Sequence, residues 1–419
     1  MRRRGDEPMK KRASVFLLIF VIFFAIGRSL SAADSKTITL DDFRDKLKGG
    51  FVGQMVGVTY GAPFEFQYDG TMVPEERVGP WSPVVLQGAI AQDDIYVELT
   101  FLETIEKYGL DASMETFGKE FGKSKYPLWH ANASGRENIL AGVMPPLSGH
   151  PSRNSHADDI DFQIEADVFG LITPGMPASS QSLTWRVGHV MNYGDGVYGG
   201  VFIAAMYSAA YFENDPVKVV EAGLAAISAD SNYAKTVADV LDAYKKDPSD
   251  WRKAWQLIED KWAPKGHCPT RNDKKPGFPF GIAANINGAY VVIALLYGNG
   301  DPMATMKIAV MSGRDNDCNT SSAMGVLGAM KGFKALPKNF SLALDSMKNS
   351  KFSFTDYTWR TALIAMEAQA LKEVEKSGGS IVEAGGVKVL SIPNQQPEKL
   401  PLEQWPYGAD GKDVPVSKY

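Results

Sequence analysis

Cysteine, histidine and excess positive charge are what this chain has least of. Its 419 residues include two cysteines and five histidines, and 44 Lys and Arg against 49 Asp and Glu leave a net charge of −5. A mildly acidic chain with no basic stripe interleaved with aromatics excludes nucleic acid as a general partner, although one local Arg or a metal can still hold a phosphate. Cys268 and Cys318 allow at most one bridge. That excludes a disulfide-stapled scaffold, and a chain this long needs none, so two free thiols are favoured. The histidines show no zinc spacing. Alternating strand patterns are scarce before residue 380, and no fixed-period repeat or low-complexity linker divides the body.

The apolar run 15–26 is too short for a comfortable membrane span, which takes ~20 residues. It comes after Arg2, Arg3, Arg4, Lys10, Lys11 and Arg12 and precedes Ser31-Ala32-Ala33, the order of a secretory signal with small residues at its cleavage site. Residues 1–33 are expected to be a signal peptide cleaved near Ala33. The product would be an exported protein, periplasmic or secreted, with no stable membrane insertion afterwards. An uncleaved anchor is the alternative, and Met9 is an alternative start.

Helical signals fill the remainder of the chain up to about residue 377. Asp215-Pro216 and Asp301-Pro302 each read as an N-cap followed by proline at the first helical position. Asp230-Ser231 and Ser249-Asp250 open two more helices, and 355–376 reads as a long helix stopped by Gly378-Gly379. Two glycine-rich stretches, 49–61 and 281–297, are apolar on nearly every face, the pattern of central helices whose neighbours approach closely. Residues 380–393 alternate like a small hairpin ahead of a Pro-rich tail. These signals describe an all-α fold, with one helical domain over 34–377 and a C-terminal hairpin and tail over 378–419.

Three acidic features could carry chemistry. Gln92-Asp93-Asp94 precedes a helical run, where capping and compensation of the macrodipole are sufficient reasons for acids. Gly313-Arg314-Asp315-Asn316-Asp317-Cys318-Asn319 precedes a helix of small residues. Two carboxylates at i and i+2 at the mouth of a buried helix need a neutralising partner, and a hard divalent cation suits them. A calcium loop of the EF-hand type is excluded, because Thr320 stands where its glycine belongs and Val326 where its bidentate Glu belongs. The third feature, Gly61-Ala62-Pro63-Phe64-Glu65, is a helix terminator followed by a carboxylate.

In this order, 57–65, Asp93-Asp94 and 313–318 resemble the three motifs of the ADP-ribosylglycohydrolase family, the dinitrogenase reductase-activating glycohydrolase-like enzymes. Gly328, Gly332 and Leu336-Pro337 match the family's closing pattern, and the similarity runs from about Leu40 to Leu336. The resemblance implies an orthogonal multi-helix bundle with two Mg2+ ions, or Mn2+ in their place, at the bottom of a cleft. It makes Gln92, Asp93, Asp94, Asp315, Asp317 and Cys318 the metal positions and Glu65 and Asp315 the catalytic ones. The bond broken would join an anomeric carbon to N, O or S. The chain departs from the family pattern at Gln92, Ile95 and Cys318, where Thr is usual, and at Val58, where Asp is usual. Gln92 still offers a carbonyl oxygen, whereas Cys318 is a soft, poor ligand for Mg2+.

The loops 156–163 and 191–199 are acidic and flanked by aromatics, which suits hydroxyl recognition and repels a diphosphate. Asp159, Asp161, Asn192, Asp195 and Tyr198 are the expected substrate contacts, with capping as the alternative for Asp158 and Asp159. Trp129-His130, Pro145-Pro146, Arg186, His156 and His189 are further candidates for the cleft border. The expected function is an exported Mg2+-dependent hydrolase of an N- or O-glycoside, carbohydrate or nucleoside-like in preference to ADP-ribosyl. A catalytically degenerate sugar- or nucleotide-binding protein is the alternative, and a thiol hydrolase using Cys318 a third. Nothing in the sequence specifies an oligomeric state.

Overall fold

The structure, a computed structural model, describes residues 35–263 and 282–403. The signal segment, Cys268 and the end of the tail lie outside the described residues. Strand β1 (Ser35–Thr39) leads into α1 (Leu40–Gly61), where Thr39 caps the helix by accepting from Asp42 N. Turns of 3-10 helix at Ala62–Phe64, Glu75–Arg77 and Pro83–Ala91 carry the chain to α2 (Asp93–Tyr108). Next come α3 (Met114–Gly122), α4 (His130–Leu140), the short α5 (Asp161–Ile164) and α6 (Asp167–Leu171), α7 (Pro177–Gly188) and α8 (Asp195–Ala210). The second half runs through α9 (Pro216–Ala225), α10 (Asn232–Lys246), α11 (Trp251–Trp262), α12 (Ala284–Tyr297), α13 (Pro302–Met311) and α14 (Asn316–Lys331). It ends with α15 (Lys338–Ser341), α16 (Trp359–Lys376) and the hairpin β2 (Ser380–Ala384) and β3 (Val387–Pro393).

The expected caps close these helices locally. Asp215 accepts from Val217 N at 2.9 Å, Asp301 from Ala304 N at 2.7 Å, Ser231 from Ala234 N at 3.0 Å and Asp250 from Arg252 N at 3.2 Å. Two helix starts differ from expectation. Helix α16 begins at Trp359 rather than near 355, because Thr358 and Thr361 form a reciprocal capping box there and Phe354 sits at φ +62. Helix α14 begins at Asn316, ahead of the small-residue run: Gly313 (φ +83) and Arg314 (φ +60) turn the chain sharply out of α13, so Asp317 stands in the first turn. The C-terminal hairpin gains a partner that the sequence did not announce. Strand β1 pairs antiparallel with β3, giving the order β1-β3-β2 and placing Ser35 opposite Pro393 and Thr39 opposite Val389.

The centre of the bundle is a seam between α1 and α14, both buried over most of their length. Glycines recur every fourth residue along α1. A methyl added at Gly49 would lie 2.3 Å from Gly328 O, at Gly53 2.2 Å from Met324 O, at Gly57 2.2 Å from Thr320 O and at Gly61 2.4 Å from Asn316 O. The partners descend along α14 as the glycines ascend α1, so the helices run antiparallel with their backbones in contact. Gly57→Ala is therefore expected to lower stability by about 1–3 kcal/mol through overpacking, although alanine is intrinsically the better helix former by about 1 kcal/mol. Gly79→Ala, with nothing within 4 Å of the added methyl, should be neutral. Urea unfolding of the two variants checks this, and equal midpoints would mean that the seam tolerates a side chain.

Candidate metal centre and cleft

The seam delivers two acidic segments to one place. Where α1 ends, Gly61 abuts the backbone of Asn316 and Asp317, so the chain that continues to Glu65 starts beside the first turn of α14. Backbone bonds then lock the two segments: Phe66 N donates to Arg314 O at 3.0 Å and Arg314 N to Tyr68 O at 2.8 Å. The buried Arg314 side chain adds a clamp, with one nitrogen 2.8 Å from Asp69 Oδ1 and two others 2.8 and 2.7 Å from the Glu259 carboxylate. Its charge is spent on these acids, which makes it a positioning residue for the Asp315 loop rather than a ligand for substrate.

Helix α2 supplies the third segment. Neither α2 nor α14 has a side-chain cap, although Gln92 and Asp315 occupy their N-cap positions. Capping therefore does not account for Asp94 or Asp315, whereas Asp93 and Asp317 do accept from first-turn backbone N–H groups. Asp94 is fully buried and neither of its carboxylate oxygens has a hydrogen-bond partner; Asp315 and Asp317, also buried, each keep one oxygen without a partner. Donor atoms of Glu65, Asp315 and Asp317 lie within 4.8 Å of one another, as do those of Asp94, Asp317 and Cys318, so Asp317 belongs to both groups. Burial, together with the charges of Asp317 and Asp93, pushes the Glu65 carboxyl up to about 8. Burial and Asp317 push Asp93 to about 6, and the same causes raise Asp94 well above the carboxylate range. These groups reject negative charge unless protons or a cation neutralise it, and an oxygen-rich donor set fits a hard divalent ion. Cys318 is buried, and both burial and the neighbouring carboxylates raise its thiol further, the opposite of what an activated nucleophile requires.

Above the acids opens a cavity of about 410 Å³, lined by Glu65, Phe66, Ala91, Gln92, Asp93, Tyr96, Trp129, His130, Asn132, Ile160, Asp161, Ile164, Ile282, Asp315 and Cys318. Of the expected substrate contacts, Asp161 borders it. One Asp161 oxygen accepts from Asn132 N at 2.9 Å, the other is buried without a partner, and burial pushes the group up to about 7. Asp159 sits just behind, 2.7 Å from His156 Nδ1. Asn192, Asp195 and Tyr198 are not brought to the cavity. Asn192 holds the 157–162 loop from within, donating to Ala157 O and Asp159 O and accepting from Phe162 N. Asp195 accepts from Tyr233 N at 3.1 Å, and Tyr198 binds Pro401 O and Glu403 N, each at 2.7 Å. Arg186 donates to Leu110 O and Ala112 O, and His189 meets Glu403 at 2.9 Å, both away from the cavity. Residues the sequence did not single out include Tyr96 and Asn132 on the wall and the buried acids Glu98, Glu165 and Asp167 behind it. The legible signal for two of these was spacing: Glu98 follows Asp94, and Glu165 follows Asp161, at i+4 on otherwise apolar faces.

A helical bundle whose cleft floor gathers carboxylates from three segments defines a class, the all-helical hydrolases built on an acidic metal centre. The chain belongs to the ADP-ribosylglycohydrolase family, whose model matches residues 39–376. It is accordingly a glycosidic hydrolase of a metal-dependent family. Among solved structures it is similar to a chain described as an ADP-ribosylglycohydrolase-related protein complex, at 16% identity over 79% of this chain and 100% of that one, with a TM-score of 0.49. A likeness of that size adds nothing to the family assignment. No curated protein matches the chain.

The raised acids carry a linkage of definite sign. A carboxyl whose folded pKa exceeds its unfolded value contributes stability below the unfolded pKa, and that contribution is lost as pH rises through the folded value. With Glu65 raised from 4.5 to about 8 and Asp93 from 3.8 to about 6, the protein in EDTA should melt at progressively lower temperature as pH rises across that window. Saturating Mg2+ should flatten the slope, most of all at its alkaline end. A chelated protein whose melting temperature stays constant or climbs there would contradict this electrostatic account.

Proposed function

We propose that this protein is an exported, Mg2+-dependent glycosidase acting on a carbohydrate or nucleoside-like glycoside in preference to an ADP-ribosyl bond. The observation that carries the metal half is Asp94, with two buried oxygens lacking partners beside two donor groups that share Asp317. Asp94, Asp317 and Cys318 would hold one ion and Glu65, Asp315 and Asp317 the other, with Gln92 and Asp93 adjacent on the cavity floor. Bound divalent ions supply the positive charge that orients a sugar diol and lowers the pKa of a bound water. Glu65, more exposed than Asp94, Asp315 or Asp317 and bordering the cavity, is placed to take a proton from the attacking water and return it to the leaving group. Asp315 lies at the same wall and keeps one oxygen without a partner.

For the substrate, the wall chemistry favours hydroxyls over phosphates. Among the described residues no Lys or Arg lines the cavity, the Asp161 carboxyl borders it, and Phe66, Tyr96 and Trp129 offer apolar faces. A carboxylate accepts hydrogen bonds from sugar hydroxyls and repels a diphosphate. Export is supported by the basic, apolar and small-residue segments of the N-terminus, and sequencing of the mature protein is expected to begin at Asp34.

Purified mature protein, screened with Mg2+ against aryl glycosides, nucleosides and ADP-ribosyl peptides, is expected to favour the first two and to lose activity in EDTA. Asp94→Asn and Asp315→Asn should each lower kcat/KM by at least about 100-fold, the upper end of what even outer-shell metal residues cost. Full activity in EDTA would remove the metal mechanism. A clear preference for ADP-ribosyl peptides would remove the substrate assignment and leave the metal mechanism standing.

A further inference from the structure

Three side chains with no zinc spacing in the sequence meet beside the cavity. His130 is the first residue of α4 and borders the cavity; His156 and Asp159 lie on the loop that precedes α5. Asp159 Oδ2 is 2.7 Å from His156 Nδ1 and 3.8 Å from His130 Nδ1, and the two imidazoles meet edge to face with centroids 5.5 Å apart. One donor atom from each of the three falls within 4.8 Å of the others. Four ligands around Zn2+ at 2.0–2.2 Å stand about 3.3 Å from one another in a tetrahedron. The observed 2.7 and 3.8 Å from Asp159 bracket that spacing.

The backbone around these donors is fixed by two buried asparagines. Asn154 Oδ1 accepts from His156 N at 2.9 Å, while its amide donates to Ala131 O at 3.0 Å and to Met191 O at 2.8 Å. One side chain thus ties the segment carrying His156 to the residue next to His130. Asn192 does the same for Asp159, donating to Asp159 O at 2.8 Å, and Ile160 N is held by Ile282 O at 2.9 Å. Outer-shell anchoring of this kind is what keeps metal ligands oriented.

We infer that His130, His156 and Asp159 form a site for a borderline transition-metal ion of the Zn2+ class, separate from the carboxylate centre. Imidazole nitrogens favour such an ion over Mg2+. Among the described residues these three supply the donors, and His130 borders the cavity. The inference does not rest on the proposed substrate or on the Mg2+ mechanism.

The test uses the full mature chain, stripped with a chelator, dialysed and supplied with excess Mg2+. Zn2+ binding is measured by competition with a chromophoric chelator, and Co2+ substitution is followed by visible spectroscopy. The expected result is one Zn2+ site per chain and the visible bands of low-coordinate Co2+ with nitrogen ligands. His130→Ala and His156→Ala should weaken that site by at least about 100-fold, whereas Asp94→Asn and Cys318→Ser should leave it intact. Absence of a Zn2+ site in the wild type would overturn the inference. So would a site lost in Asp94→Asn or Cys318→Ser and retained in the histidine variants, which would assign the ion to the carboxylate cluster. The Co2+ spectrum of the unsubstituted chain decides the matter even if a variant fails to fold.

Discussion

Backbone contact between α1 and α14 is the constraint on which the rest of the molecule hangs. Four glycines at 49, 53, 57 and 61 let the helices approach until an added methyl would stand 2.2–2.4 Å from a carbonyl oxygen. At that separation, sliding one helix by a residue rotates the glycine row by about 100° away from its partner and drives side chains into backbone. The register is therefore set sterically along the whole interface. Its functional consequence lies at one end only, where Gly61 meets Asn316 and Asp317. Glu65 and the Asp315–Asp317 pair are neighbours because the seam permits no other alignment, and Arg314 bonded to Asp69 and Glu259 holds the loop once it is there.

What the seam brings together is electrostatically unfavourable on its own. The first turns of α2 and α14 carry Asp93, Asp94 and Asp317, so the helix N-termini offer partial positive charge where the acids gather. A helix terminus contributes about 0.3–1 kcal/mol, rising to ~2 kcal/mol in a buried setting. Burying an ion costs several kcal/mol, and Asp94, Asp315 and Asp317 are all buried, with Glu98 and Asp167 close behind them. The dipoles do not close that gap, and no Lys or Arg lines the cavity among the described residues. Protons or bound cations must do so. The fold stores a site whose charge is completed from outside, which is why a stability slope with pH and a metal requirement are two expressions of one deficit.

How much of this could be read in the sequence depends on the range of each interaction. Caps at Asp215, Ser231, Asp250 and Asp301 act across two or three residues, so their positions were legible. The glycine-rich stretch at 49–61 and the acids at 93–94 and 315–317 stood out because their residue types are costly without a reason. What no local pattern encodes is which distant groups satisfy a polar side chain. Asn192 and Tyr198 sit in a polar, glycine-rich loop that resembles a recognition loop, yet their partners are Ala157, Asp159 and Phe162 for the one and the 401–403 segment for the other. The pairing of Ser35–Thr39 with β3 and the meeting of His130 with His156 are likewise long-range. Neither leaves a spacing that the eye can find.

The cavity therefore has two differently built sides. Its floor offers carboxylate oxygens in two overlapping groups, one of which includes a buried thiol that burial and its acidic neighbours push up. Beside its His130 wall, two imidazoles and one carboxylate sit on segments anchored by Asn154 and Asn192. The two donor sets differ in hardness: carboxylate oxygens suit a hard divalent ion, and imidazole nitrogens suit a borderline one.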